Sequence, residues 1–125
     1  MDQTIAALVP DLIFATKIAS TARSLGVEAV NIRTLDQLTE RLSSNQDALV
    51  LIDLEAEAPD LDPIHAIELC KQSEHQPRTI AFGSHVRTDL IGAARRAGAD
   101  EVLARSGFVG RLPSMLQSVS SGGAS

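Results

Sequence analysis

Short runs of apolar residues alternate along this chain with longer segments whose apolar residues recur every three or four positions. The apolar runs predict five buried strands, at residues 4–9, 27–32, 48–53, 79–82 and 102–104. The segments between and after them predict five helices, at about 12–25, from 34 onwards, at 63–73, at 88–97 and within 108–119. Regular alternation of strands and helices favours a parallel sheet with helices on both faces, because each crossover is right-handed.

Glycine and proline positions predict where several helices begin and end. Gly26 and Gly98 each follow a helical segment, where a left-handed backbone conformation ends a helix. Gly110 and Pro113 predict a late start for the last helix, with Pro113 near its first turn. Residues 120–125 are small and polar, so we expect them to be disordered.

Length and composition indicate a single globular domain, over residues 1–119. The chain has 125 residues, of which 44% are hydrophobic and 22% charged. Its net charge is −5, its basic residues are scattered, and it has no Trp or Tyr, so direct binding to nucleic acid is not expected. No apolar run is as long as a membrane-spanning helix, and no signal peptide is evident, so we expect a cytoplasmic protein that does not bind membranes.

The most informative single residue is Asp53, which ends the third predicted strand. Open α/β sheets place their chemistry at this carboxyl edge. The segment from Val9 to Ile13 lacks the glycine-rich pattern of a dinucleotide site, and the chain has no P-loop. No pairing of a nucleophile with a base is recognisable, which argues against an enzyme.

Other chemically capable residues are interpreted as structural. His65, His75 and His85 are ten residues apart and do not have the spacing of metal ligands. Cys70 falls on the apolar stripe of a helix and is expected to be a small, inert core residue. An acidic loop follows Asp53, and we interpret it as a solvated connection; its residues are Glu55, Glu57, Asp60 and Asp62.

Two stretches resemble a known family, the receiver domains of two-component response regulators. One is Ala-Leu-Val-Leu-Ile-Asp at 48–53, and the other is Arg-Ala-Gly-Ala-Asp-Glu-Val-Leu at 96–103. The resemblance covers nearly the whole chain. It implies a flavodoxin-like three-layer sandwich, with a five-stranded parallel sheet in the order 2-1-3-4-5 and five helices.

The resemblance implies that Asp53 occupies the phosphoacceptor position. In the family a divalent metal is held by this aspartate and by an acidic pair just after the first strand. Here that segment is Val9-Pro10-Asp11, which leaves one carboxylate. Asp11 is therefore either a remnant of the acidic site or a helix cap. If a metal binds at all, we expect Mg²⁺ at Asp11 and Asp53; otherwise no cofactor is expected.

Three further family positions also depart from the receiver pattern. Gly83 stands where receivers have a hydroxyl residue that senses the phosphoryl group, and Ser84 is next to it. Arg105 replaces the lysine of that site, keeping its charge but not its geometry. Val102 stands at the aromatic switch position.

These departures favour a degenerate receiver, or pseudo-receiver, that signals by protein–protein interaction without Mg²⁺-dependent phosphorylation. In that interpretation Asp53 forms an ion pair with Arg105 at the sheet edge. One alternative is a working phosphoacceptor at Asp53 within a phosphorelay. Another is a flavodoxin-like domain that binds a small ligand.

The resemblance also implies which surface contacts partners. In receivers it is the face formed by the fourth helix, fifth strand and fifth helix, and the expected partner is a histidine kinase, an output domain, another regulator or a second copy of the chain. Its mixed charges suit selective pairing. On this chain the face comprises Arg87, Asp89, Leu90, Arg95, Arg96, Glu101 and Val109.

Overall fold

Five parallel strands form one sheet in the order β2-β1-β3-β4-β5. The protein is represented by a computed structural model, which describes residues 4–56 and 61–122. The strands are β1 (Thr4–Leu8), β2 (Glu28–Asn31), β3 (Asp47–Asp53), β4 (Arg78–Gly83) and β5 (Glu101–Ala104). Every pairing between neighbouring strands is parallel, which confirms the predicted flavodoxin-like order.

Helices cover both faces of this sheet, as predicted. They are α1 (Leu12–Ser24), α2 (Leu35–Ser44), α3 (Pro63–Gln72), α4 (Thr88–Ala97) and α5 (Arg105–Gly122). One apolar cluster joins α1 and α5 to one face of the sheet, and a second joins α2, α3 and α4 to the other. The result is the three-layer sandwich that the alternation of strands and helices predicts.

The central strand β3 supplies both apolar clusters. Leu49 and Leu51 belong to the cluster under α1 and α5, whereas Val50 and Ile52 belong to the cluster on the opposite face. All four are at most 1% exposed, and burying each contributes roughly 1.5–3 kcal/mol. Because side chains alternate along a strand, the same register turns Asp53 toward α1 and α5.

Helix α5 differs from its prediction at both ends. It begins at Arg105, directly after β5, and contains Pro113 in its interior instead of near its first turn. The buried residues Phe108, Leu112 and Leu116 recur four positions apart, so the apolar stripe that holds α5 on the sheet already begins before Pro113. Pro113 itself is exposed, and packing outweighs the backbone hydrogen bond that it cannot donate.

The predicted disordered tail overlaps this helix. Helix α5 continues to Gly122, so residues 120–122 are helical, contrary to the prediction, and residues 123–125 lie outside the described part of the chain. Gly98 ends α4 with a φ of 105°, as its position predicted. None of the helices in the described ranges is long and apolar enough to cross a bilayer.

Candidate functional site

Asp53 lies at the carboxyl end of the central strand and is only 4% exposed. Strands β1 and β4 flank β3 on either side, so the carboxylate sits in the middle of the sheet edge. Its Oδ1 accepts a hydrogen bond of 2.9 Å from the backbone N–H of Glu55. This bond fixes one carboxylate oxygen against the start of the following loop.

Arg105 supplies the positive charge next to Asp53. Its Nη2 lies 3.4 Å from Oδ1 and 3.5 Å from Oδ2 of Asp53. The same nitrogen lies 3.4 Å from Oε2 of Glu55. One guanidinium nitrogen therefore bridges two carboxylates, at distances longer than the 2.7–2.9 Å typical of the strongest charge-assisted hydrogen bonds.

A cluster of phenylalanines holds the Arg105 guanidinium in this place. Its Cζ lies 5.2 Å from the ring centre of Phe14 in α1 and 5.5 Å from that of Phe82 in β4. Phe82 in turn stacks on Phe108 of α5, with ring centres 4.1 Å apart. Aromatic faces attract cations at such distances, so the rings orient Arg105 toward the carboxylates.

Glu55 belongs to the site, contrary to its interpretation as part of a solvated connection. Its Oε2 accepts a 3.0 Å hydrogen bond from the backbone N–H of Ser84 and pairs with Arg105. The signal in the sequence is a second acid two residues after Asp53, at the same sheet edge. Asp62 from the same loop caps α3 by accepting from two backbone N–H groups, whereas Glu57 and Asp60 lie outside the described residues.

Gly83 and Ser84 end β4 beside Glu55, but neither directs a hydroxyl into the site. Gly83 is buried, and a Cβ added there would approach Cβ of Leu54 to 3.3 Å. The Ser84 hydroxyl accepts a long hydrogen bond of 3.4 Å from the backbone N–H of Val86. At this edge Ser84 contributes its backbone N–H to Glu55, and β4 offers no side-chain donor.

Asp11 serves as the cap of α1. Its Oδ1 accepts hydrogen bonds from the backbone N–H groups of Ile13, at 2.9 Å, and Phe14, at 3.2 Å. Such a bond satisfies donors that the first turn of a helix leaves unpaired. Asp11 therefore caps α1, and its interpretation as a remnant of the acidic site stays a prediction.

Burial dominates the electrostatics of Asp53. Loss of solvent raises the pKa of its carboxyl above the ordinary value of 3.8. The Glu55 N–H and the Arg105 guanidinium oppose that rise, because both favour the charged form. The neighbouring Glu55 carboxylate raises the pKa of Asp53 further.

The carboxylates that the structure describes near this edge all have partners within the protein. Within residues 4–56 and 61–122, no three side chains of the His, Cys, Asp and Glu types are grouped to hold a metal ion. Asp53 and Glu55 share Arg105, and Asp11 is engaged with the backbone of α1. Mg²⁺ gives up its water shell reluctantly, so a metal ion here would compete with Arg105 for the carboxylates of Asp53 and Glu55.

The remaining predicted residues lie away from Asp53. Val102 is half-buried in β5, beside Ala81 of β4. Cys70 is fully buried, which raises the pKa of its thiol to about 11 and confirms that it is a core residue. His65 pairs with Glu68 on the surface of α3.

The predicted interaction face lies along α4, β5 and the start of α5. Its members range from exposed to half-buried, and Glu101 forms ion pairs with Arg78 and Arg111. Three large apolar side chains are exposed elsewhere, at the carboxyl edge of the sheet: Leu12 and Ile13 at the start of α1, and Val86 after β4. They lie on either side of Asp53 along the strand order, and no pattern in the sequence distinguishes them from buried apolar residues.

Comparison with known proteins gives matches in structure alone. The sequence matches no protein-family model and no curated protein. A receiver domain of a sensor histidine kinase from Pseudomonas aeruginosa, solved with a magnesium ion in its active site cleft, is 21% identical, with a TM-score of 0.77 over 96% of this chain and 98% of that one. The receiver domain of a Francisella response regulator has the same TM-score at 14% identity, over 98% of this chain and 99% of that one.

A third similar structure is a response regulator from Burkholderia pseudomallei, solved with a phosphorylated aspartic acid, a calcium ion and citrate. It is 18% identical, with a TM-score of 0.73 over 98% of this chain and 71% of that one. Structural similarity at such low sequence identity shows that the folds agree. It does not show that the chemistry of the sites agrees, which depends on the residues present. Strand order, helix placement and these three structures agree, and this chain has the fold of response regulator receiver domains.

Proposed function

We propose that this chain is a pseudo-receiver: a single, non-enzymatic signalling domain of the cytoplasm that acts by binding other proteins, without Mg²⁺-dependent phosphorylation of Asp53. The observation that carries the proposal is the position of Arg105. Its guanidinium contacts the carboxylates of both Asp53 and Glu55. In this proposal an internal cation takes the place of a bound metal.

The chemistry of phosphoryl transfer supports this proposal. A carboxylate that attacks a phosphoryl group needs its own charge and that of the phosphoryl oxygens neutralised, which a divalent metal does best. Here Asp11 caps α1, and Arg105 occupies the space beside Asp53. An attacking Asp53 would have to displace Arg105 from its place against Phe14 and Phe82.

The first test is the mass of the intact protein after incubation with acetyl phosphate and Mg²⁺. We expect no phosphoryl adduct on the wild-type chain beyond the level found on the Asp53→Asn variant. Far-ultraviolet circular dichroism of both samples verifies that each is folded. An adduct that depends on Asp53 would instead support a working phosphoacceptor, the state named for the Burkholderia pseudomallei structure.

A domain that signals without this chemistry needs a contact surface. We propose the face of α4, β5 and the start of α5, where Arg95 and Arg96 are exposed near the end of α4. Adjacent positive charges attract an acidic patch on a kinase, an output domain, another regulator or a second copy of the chain. Changing rim charges of this kind alters association rate and salt dependence more than fold stability.

The contact surface is tested by a charge reversal with a matched control. The Arg95→Glu/Arg96→Glu variant should lose self-association in sedimentation velocity, or lose the partners captured by the wild-type chain. The Arg23→Glu/Arg33→Glu variant makes the same change in net charge at exposed positions elsewhere and should retain both. Equal loss in the two variants, or no loss in either, would contradict this face.

The exposed apolar residues define a second surface for the same test. Leu12 is 62% exposed and Ile13 85% exposed at the start of α1, and solvent exposure of two adjacent large side chains costs hydrophobic free energy. A Leu12→Ser/Ile13→Ser variant that loses the captured partner, while Arg95→Glu/Arg96→Glu keeps it, would move the contact surface to this edge.

A further inference from the structure

A cleft opens at the amino edge of the sheet, which is the edge opposite Asp53. It lies between the amino ends of strands β3, β4 and β5 on one side and the C-terminal half of α5 on the other. It encloses about 520 Å³, within the range of small-molecule sites. We call it the amino-edge cleft. It is lined by Ala48, Leu49, Arg78, Ile80, Glu101, Arg111, Ser114, Met115, Ser118 and Val119.

The floor of the amino-edge cleft is apolar. Leu49 and Ile80 belong to the adjacent strands β3 and β4, and Met115 and Val119 belong to α5. The side chains of these four residues are between 1% and 8% exposed. The positions on α5 that line the cleft are spaced as one helical face, because they recur at intervals of three and four residues. Leu49 and Ile80 are almost fully covered, so the apolar surface that this floor offers to a ligand comes mainly from Met115 and Val119.

The mouth of the amino-edge cleft carries two arginines that share one carboxylate. Arg78 donates through Nη2 to Oε2 of Glu101 at 2.6 Å, and Arg111 donates through Nη1 to Oε1 of the same residue at 2.8 Å. In the described ranges, Glu101 is the one carboxylate within ion-pair distance of either arginine. The neighbouring Asp100 pairs with Lys71 instead.

This network has one positive charge in excess. Each guanidinium has five N–H donors, and the hydrogen bonds to Glu101 use one of those of Arg78 and two of those of Arg111. Arg78 is 55% exposed and Arg111 49% exposed, so their remaining donors are accessible. A second anionic group between them would balance the charges without breaking the contacts to Glu101.

We propose that the amino-edge cleft binds a small amphiphilic anion, with a carboxylate or phosphate head between Arg78 and Arg111 and an apolar body against Met115 and Val119. The chain as a whole carries a charge of −5, so attraction of such an anion is local to these arginines. The site does not involve Asp53, and it shares only Glu101 with the proposed interaction face.

The proposal is tested by titrating octanoate into the ¹⁵N-labelled chain and following its amide resonances. Octyl phosphate joins a similar alkyl chain to a phosphate group. Octanol has the alkyl chain without a charge, and acetate has the carboxylate without a long alkyl chain. We expect octanoate or octyl phosphate to give saturable shifts at Arg78, Glu101 and Ser114, with a dissociation constant on the order of 1 mM for a ligand of this size. Octanol and acetate should bind at least tenfold more weakly.

Variants separate this site from general binding of an apolar tail. Arg78→Gln and Arg111→Gln should each weaken the charged ligand about tenfold, because each removes a charge-assisted hydrogen bond. Arg33→Gln, a matched change at an exposed position between β2 and α2, should bind like the wild type. Ser114→Leu keeps both arginines, narrows the cleft from an exposed helical position, and should abolish binding.

Several results would overturn the proposal. They are equal binding of octanol and octanoate, equal binding of acetate and octanoate, shifts that do not localise to the amino-edge cleft, and unchanged binding by Arg78→Gln, Arg111→Gln and Ser114→Leu. Absence of saturable shifts with both charged ligands would also overturn it.

Discussion

Replacing Arg105 with methionine removes the one cation that contacts both carboxylates at the carboxyl edge, within the described residues. Methionine keeps the apolar stem of the side chain but not the guanidinium, so packing beside Phe14 and Phe82 is retained only in part. The expected result is a loss of about 2 kcal/mol in the free energy of unfolding at pH 7, arising from charge more than from packing.

The magnitude follows from the geometry. A pair of unit charges 3.4 Å apart attracts by about 5 kcal/mol at an effective dielectric constant of 20, before desolvation is subtracted. Arg105 is 37% exposed and its contacts are long, so screening and desolvation reduce the net contribution of both pairs to roughly 1–2 kcal/mol. The aromatic contacts of the cation add about 0.5–1 kcal/mol.

Urea unfolding at pH 7 and pH 5 measures this loss. It should be smaller at pH 5, because the buried Asp53 carboxyl, whose pKa burial already raises, takes up a proton more readily in the folded state once the Arg105 cation is gone. Adding Glu55→Gln to Arg105→Met should restore about 1 kcal/mol by removing one of two repelling charges. Arg95→Met on exposed α4 is the matched control and should change stability little.

The charge argument would be refuted by a particular pattern. If Arg105→Met loses the same free energy at both pH values, and Glu55→Gln restores none of it, Arg105 acts through packing alone. A loss below about 0.5 kcal/mol at pH 7 would mean that solvent screens these ion pairs almost completely.

Substitutions at four further positions have defined outcomes. Asp11→Ala should cost about 1 kcal/mol in urea unfolding by removing the cap of α1, whereas Asp11→Asn should retain most of it. Gly83→Ala should destabilise the protein by about 1 kcal/mol or more, because the added Cβ would meet Leu54. Gly110→Ala should stabilise it by about 0.5–1 kcal/mol, because the added Cβ meets nothing within 4 Å inside α5. Because the pKa of Asp53 is raised, the folded state holds more protons than the unfolded state between pH 3.8 and the native pKa. The free energy of unfolding of the wild-type chain should therefore fall as pH rises through that window. The Asp53→Asn variant should lack this pH-dependent contribution.

The sequence predicts the sheet more completely than the last helix. Residues 48–52 form one apolar run of the kind typical of a strand buried on both faces, and the structure places β3 at the centre of the sheet. For α5, Gly110 and Pro113 indicate only a low local preference for helix. The apolar stripe from Phe108 to Leu116 instead packs against the sheet. The stripe decides where the helix begins, because burial of several large side chains outweighs one lost backbone hydrogen bond.

At the site, the sequence indicates which residues share an edge but not which atoms meet. Asp53 and Arg105 were identified as a pair, and they are in contact. Glu55 was missed, because an acid in a polar loop is normally solvated, and its link to Ser84 depends on how two loops fold together. Asp11 was left open between two roles, and a hydrogen bond to a helix N-terminus is visible only in the structure.

The most direct test of an internal cation at Asp53 is a titration of the ¹⁵N-labelled chain with Mg²⁺, followed by beryllofluoride. If Arg105 already neutralises this edge, the amide resonances of Asp53, Glu55 and Ser84 show no saturable shift in either step, and the Asp53→Asn variant behaves the same way. Saturable shifts at these three residues in the wild-type chain, lost in Asp53→Asn, would contradict the pseudo-receiver interpretation and establish a metal-dependent phosphoacceptor site.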